Sequence, residues 1–258
     1  ESFAAVLYTE PDAGSDLGSL TTSAVPAEGG YRISGTKLFS LKSRFADLGL
    51  CAARLPTPGP KYAGITLFLI DLRAPGVTVR LLPSIAQEQF HAVELEEVWA
   101  GPDAVLGGAG DGWAVLARAL PYERTGIDLA ARAGRWYRLA RPAGDPAVDP
   151  AAELENAGRH GARAQAARLL AWRAANTVAS GHVDEVAIAV AKWYCGEIAA
   201  EMAQWLFERH GLGTADQVAA EAGRAFLEAP GLTLSGGTSE MMLQLVAGYL
   251  LGADTTEG

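Results

Sequence analysis

Ala104-Val105-Leu106-Gly107-Gly108-Ala109-Gly110-Asp111-Gly112-Trp113-Ala114-Val115-Leu116 is where this chain changes its period. Before it, apolar runs of strand length alternate with turn residues: Val6–Thr9, Thr22–Val25, Tyr31–Ser34, Leu48–Ala53, Ile65–Asp71, Thr78–Leu82, Ala92–Leu95 and Ala104–Leu106. Gly-Gly, Ser-Gly, Thr-Pro-Gly-Pro, Ala-Pro-Gly and Gly-Pro-Asp separate them. Short strands punctuated in this way predict a β barrel or sandwich, not βαβ units. After the quoted stretch, apolar residues recur at helical spacing over Asp111–Leu139, Pro150–Ser180, Val183–His210 and Ser239–Leu251. In Val183–His210 the apolar face is Val186, Ile188, Val190, Trp193, Ile198, Met202, Trp205 and Leu206, with Gly211 and Gly213 as the stop. The expected class is α+β: a β-barrel or sandwich domain over residues 1–110, then a C-terminal four-helix bundle over 111–258. Arg141–Pro150, rich in Pro, Gly and Asp, predicts an exposed loop.

Composition excludes some classes. The chain is 49% hydrophobic and 20% charged, which fits a globular protein. No stretch approaches the roughly 18 unbroken apolar residues of a membrane span. The net charge of −9 argues against a nucleic-acid partner. Cys51 and Cys195 predict free thiols and a cytoplasmic location. His91, His160, His182 and His210 lack metal-ligand spacing, so no metal is expected. The first residue is Glu1, which suggests a chain beginning partway into a gene product.

Four ordered motifs carry a resemblance. Tyr8-Thr9-Glu10-Pro11-Asp12-Ala13-Gly14-Ser15-Asp16 is followed by Ile33-Ser34-Gly35-Thr36-Lys37-Leu38-Phe39. Val98 to Gly107 and Leu234-Ser235-Gly236-Gly237-Thr238-Ser239-Glu240-Met241 complete the set. In order and spacing they resemble the acyl-CoA dehydrogenase family. The resemblance implies a middle β domain and a C-terminal helical domain, without the helical domain that normally comes first. It implies FAD, an acyl-CoA substrate, α,β-desaturation, and an electron-transferring flavoprotein as acceptor. It also implies a homo- or hetero-oligomer. Keeping the family's first domain out of this chain leaves an apolar face for another segment or chain to cover.

The same resemblance assigns residues. Many members carry a catalytic Glu at the position of Gly236; a minority place the base on the first C-terminal helix, where this chain has Leu120-Pro121-Tyr122-Glu123-Arg124. Glu123 is therefore the expected base, flanked by Tyr122 and Arg124 as substrate contacts. A carboxylate suits this role because desolvation raises its basicity toward neutral pH. The Gly236 N–H is expected to polarise the thioester carbonyl, in the manner of an oxyanion hole, with Gly237 beside the substrate. Tyr8 and Thr9 are expected at the flavin edge, and Ser15 near both flavin and the CoA arm. Phe39 stands where the family usually has Trp. Ser40 is a candidate replacement for a flavin-bonding Thr lost at Leu41. Thr238, Ser239 and Glu240 are expected near the ribityl or adenosine part of FAD, and Ser239 is a candidate cap for the last helix.

Other positions depart from the family. The segment near Arg135–Pro142 lacks the Phe-Gly that helps complete a neighbour's FAD site. Phe207 stands at an expected Gln, and Leu243 at an expected Arg. Two further readings follow: a non-catalytic or half-site subunit of a heteromeric complex, as in some bacterial steroid-side-chain dehydrogenases, and a flavin-dependent oxidase or monooxygenase. The absence of a side chain at Gly236 favours a branched, cyclic or bulky acyl group.

Overall fold

A computed structural model describes residues 2–86, 88–141, 149–212 and 216–252. The chain divides into two compact units, Glu1–Arg118 and Ala119–Gly258.

The first unit is built on eight strands: β1 (Ala4–Leu7), β2 (Ser23–Ala27), β3 (Gly30–Leu41), β4 (Leu48–Arg54), β5 (Ile65–Asp71), β6 (Val77–Leu81), β7 (Phe90–Ala100) and β8 (Val105–Leu106). They form one mixed sheet in the order β6-β7-β3-β2-β4-β5-β8, with β1 paired to β4. That β1–β4 pairing is parallel; β3–β7, β4–β5 and β6–β7 are antiparallel. Alternation sorts the side chains: in β1, Ala5 and Leu7 are buried while Val6 is exposed. Leu7, Ile33, Cys51, Phe68, Val93, Leu95 and Val98 make the main core.

Strands β3 and β7 run well past the expected Tyr31–Ser34 and Ala92–Leu95. Gly35 looked like a stop, but it continues the strand because Thr22 lies against it. A Cβ there would fall 2.3 Å from Thr22 Oγ1. Register shifts at Ile33/Gly35 and Lys37/Ser40 let the long pair bend.

Helix α1 (Gly112–Glu123) begins in the first unit and ends in the second. Its first turn docks on β5: a Cβ at Gly112 would lie 2.7 Å from the Ile65 carbonyl oxygen. Trp113 stacks on Tyr62 with ring centroids 4.1 Å apart. The single helix expected over Asp111–Leu139 is in fact two. The chain turns at Gly126, in the left-handed region at φ 74°, before α2 (Ile127–Ala140). A side chain at Gly126 would press on the Ala191 carbonyl and Cys195 Sγ, both 3.1 Å away.

The second unit continues with α3 (Pro150–Ala179), α4 (Glu185–His210), α5 (Gln217–Leu232) and α6 (Ser239–Leu250). Asp149, Asp184 and Asp216 each cap the helix that follows. Helix α5 was missed in the sequence because alanine-rich residues 217–229 carry few large apolar side chains. Helix α4 is the centre, packed against α2, α3, α5 and α6. Leu129, Ala133, Trp136, Ile198, Met202 and Leu206 fill the core. Both cysteines are free and buried. The loop expected at Arg141–Pro150 lies largely outside the described residues. No helix among the described residues is long and apolar enough to cross a membrane.

One buried polar knot joins α2 to α5. Trp136 Nε1 donates to Glu221 Oε1 at 3.0 Å, and Arg135 and Arg224 pair with the same carboxylate. Burial works to raise the Glu221 value, but the hydrogen bonds and the two arginines outweigh it and hold the carboxyl low. Trp136→Phe is expected to cost about 1–3 kcal/mol, the penalty of an unmade buried hydrogen bond, read as a lower urea midpoint.

Candidate active site

In the first unit the loop from Tyr8 to Asp16 is fastened by one carboxylate. Glu10 Oε2 accepts from the Thr21 N–H at 2.6 Å and the Thr21 hydroxyl at 2.8 Å. Its Oε1 accepts from the Thr22 N–H at 2.9 Å and from Lys37 Nζ at 2.7 Å. Lys37 also donates to the Tyr8 carbonyl at 3.2 Å, and the Leu38 N–H to the Thr9 carbonyl at 2.8 Å. Tyr8 and Thr9 are thus half-buried on a loop tied to β3, while Ser15 is exposed.

Phe39 lies at the β3 register shift in left-handed backbone, φ 55°, and its ring is 61% exposed. Phe90 meets it edge-on at 6.5 Å. Ser40 points the other way. Its hydroxyl is buried, donates to the Val6 carbonyl at 2.7 Å and accepts from Ser43. It is Phe39 and Leu41, not the Ser40 hydroxyl, that face outward. An outward aromatic ring beside a pinned Thr9 fits a planar heteroaromatic ring such as that of FAD.

In the second unit the last signature makes a tight turn before α6. Gly236 and Gly237 adopt φ 68° and 104°. Thr238, not Ser239, caps α6: its hydroxyl oxygen accepts from the Met241 N–H at 3.2 Å. Ser239 is buried and its hydroxyl donates to Glu197 at 2.5 Å; Glu240 is exposed in the first turn.

Three side chains from elsewhere gather at this turn. A Cβ built on Gly236 would lie 3.4 Å from Glu123 Oε1 and 3.5 Å from Lys192 Cε. Arg124 Nε donates to the Gly236 carbonyl at 2.9 Å, and its guanidinium borders Gly237. The Glu123 carboxylate, exposed in this chain, therefore lies in contact distance of the point where a side chain at Gly236 would start. Tyr122 is 60% exposed beside it. Burial holds the Arg124 guanidinium below the ordinary arginine value, with Glu123 and Glu185 opposing.

Lys192 escaped the sequence reading. Its signal was a lone cation inside the apolar run Val190-Ala191-Lys192-Trp193 of α4. In the segment that lacks Phe-Gly, Arg135 is engaged by Glu221 of its own chain at 2.9 Å; Phe207, at the expected Gln, stacks on Phe226 at 4.2 Å. Leu243 is exposed. Among the described residues no group of acidic, Cys or His side chains is arranged to hold a metal.

Comparison with known proteins gives the family. Residues 5–98 match the acyl-CoA dehydrogenase middle domain and residues 110–251 the acyl-CoA dehydrogenase C-terminal domain. The chain belongs to the acyl-CoA dehydrogenase family. It is 34% identical over 249 residues to acyl-CoA dehydrogenase FadE34 of Mycobacterium tuberculosis, covering 95% of this chain and 34% of that protein. It is 36% identical over 129 residues to (R)-benzylsuccinyl-CoA dehydrogenase of Thauera aromatica, covering 49% of this chain and 31% of that protein. Among solved structures, a variant of the Tcur3481-Tcur3483 steroid ACAD superposes with a TM-score of 0.88 at 28% identity, covering 97% of this chain and 69% of that one. The chain thus spans about a third of FadE34.

Proposed function

We propose that this chain carries the base-bearing and flavin-facing part of an FAD-dependent acyl-CoA dehydrogenase, with Glu123 as the α-proton base. The supporting observation is the placement of Glu123 Oε1 3.4 Å from the Cβ position that Gly236 leaves empty. A carboxylate reaching that point from α1 substitutes for one that the turn lacks. Glu123 takes the proton α to the thioester, and the Gly236 N–H donates to the carbonyl oxygen as negative charge develops there. Arg124 holds the turn through the Gly236 carbonyl. FAD, when bound, would supply the acceptor for the β-hydride, and Thr9 and Phe39 are the residues proposed to meet its ring. Tyr8, Ser15, Thr238 and Glu240 are proposed as further contacts to cofactor or CoA.

The acyl group is proposed to be branched, cyclic or bulky. Gly236 adds no side chain beside the α carbon, and the relatives quoted above are named for benzylsuccinyl-CoA and for steroids. An electron-transferring flavoprotein is the proposed acceptor, in the cytosol. One observation favours a second reading, a half-site subunit paired with a different acyl-CoA dehydrogenase chain. Arg135 and Phe207, at positions the family uses toward a neighbour's FAD, are engaged within this chain.

Anaerobic titration of the full-length protein with isobutyryl-CoA, cyclohexanecarbonyl-CoA and a steroid-side-chain CoA thioester tests both. Bleaching of the flavin band by at least one thioester is expected. A colourless protein, even when co-expressed with its partner chain, supports a non-catalytic subunit and overturns the first reading.

A further inference from the structure

Lys192 is 6% exposed, in the middle of the α4 core face. Burying an ammonium is costly unless something holds it. Lys192 Nζ donates at 3.3 Å to the carbonyl of Leu232, the last residue of α5 and the start of the segment that leads to Gly236. The charged and titratable groups around it are Glu123 and Arg124 at the end of α1, Asp128 on α2 and Cys195 on α4 itself. Its Cε and the Glu123 carboxylate both approach the same empty point above Gly236, at 3.5 and 3.4 Å.

We propose that Lys192 is a positioning residue of this site: from beneath the Gly236 turn its ammonium fixes the end of α5 and faces the Glu123 carboxylate. This rests on Glu123 as base. The geometry gives the charge two tasks. It bonds a carbonyl that the helix end leaves without an intrahelical partner, which sets the start of the turn. It also places a cation near the Glu123 carboxylate, which orients the base and adds positive potential where the thioester oxygen gains charge. Arg124 serves the far side of the same turn by bonding the Gly236 carbonyl.

The test uses the full-length flavoprotein and the thioester that bleaches best in the titration above. Lys192→Met is expected to lower kcat about tenfold with KM within about twofold, because the lost interaction acts mainly in the transition state. Lys192→Arg keeps the charge and is expected to recover most of that loss. The two differ in pH profile. Burial pushes the Lys192 ammonium below the ordinary lysine value, with Arg124 adding to that and Asp128 and Glu123 opposing. Wild-type kcat is therefore expected to fall on the alkaline side, below the exposed-lysine range, and Lys192→Arg to lack that limb because guanidinium stays charged. Independently of turnover, amide exchange over residues 233–239 is expected to quicken in Lys192→Met and stay at wild-type rates in Lys192→Arg. If Lys192→Met does not fold, Lys192→Gln replaces it with the same expectations.

Unchanged kcat in the charge-removed variant, or a wild-type alkaline limb in Lys192→Arg, overturns the proposal. The Glu123→Gln control separates the two claims. Normal turnover there sinks the base assignment, whereas an inactive Glu123→Gln beside a silent Lys192→Met sinks only this inference.

Discussion

With Glu123 as the proposed base, Glu123→Gln is expected to lower turnover by about 10²–10⁴, the range that a general base contributes, while flavin content and thermal midpoint stay near wild type. The side chain keeps its length and loses only its capacity to take a proton. It is exposed in this chain, so the fold leans little on its charge. Flavin contacts are proposed for Thr9 and Phe39, which the substitution leaves untouched. The loss should therefore fall on the chemical step, visible as slow flavin bleaching at saturating thioester. A companion variant sharpens this. Adding Gly236→Glu to Glu123→Gln starts a carboxylate at the turn itself, 3.4 Å from where the Glu123 oxygen lies. Gly236 is at φ 68°, so the change costs on the order of 1–2 kcal/mol of strain. Recovery of part of the lost turnover is expected. Near-wild-type rates in Glu123→Gln alone would falsify the assignment.

How much of this was legible in the sequence depends on what each residue does locally. The β-then-α division was readable because the period of apolar residues changes around Gly107–Asp111; alternation survives into the fold in β1, whereas β4 and β5 bury runs of consecutive residues. The break at Gly126 was not readable: one glycine in a helical pattern ordinarily costs little. Here it is forced by close approach to Ala191 and Cys195, a tertiary fact. Gly35 is the converse, a local stop signal overridden by packing against Thr22. The same contrast runs through the site. The pairing of Glu123 with Gly236 was inferred from a family pattern of two alternative base positions, and the structure brings the two residues together. Ser40 was misjudged because a register shift between Lys37 and Ser40 turns Phe39 out and Ser40 in, which strand alternation alone does not give. Lys192 showed only as a lone cation in an apolar run, and the Glu10–Lys37 pair carried no pattern, since a buried ion pair is defined by a partner distant in sequence.

That pair sets the second large effect. Lys37→Met is expected to destabilise the protein by about 3–5 kcal/mol near pH 7, because it strands a buried carboxylate. The Lys37 and Glu10 side chains are 0% and 3% exposed and 2.7 Å apart, so water screens them little. Burial alone works to raise the Glu10 value; the Lys37 charge and hydrogen bond, with Thr22 and Thr21, outweigh it and bring the carboxyl from 4.5 down to about 2. A folded value below the unfolded one means that the stabilisation is complete above the unfolded value and fades as pH falls from about 5 toward 2. For this depression it amounts to about 3 kcal/mol. In Lys37→Met the two Thr21 donors and the Thr22 N–H remain, but the cation is gone, so the variant should become relatively less unstable against wild type as pH drops to 4 and Glu10 takes up a proton. Glu10→Gln should be comparably harmful at pH 7, since it leaves a buried ammonium without its counter-charge. The double variant Glu10→Gln/Lys37→Met should lose less than the sum of the two, as neighbours in one network do. Urea unfolding of all four proteins at pH 7 and pH 4 decides it: additive losses, or a Lys37→Met loss that ignores pH, contradict a coupled ion pair. Because Lys37 and Glu10 also fix the Tyr8 carbonyl and the loop carrying Thr9, the same variants should release flavin before they unfold.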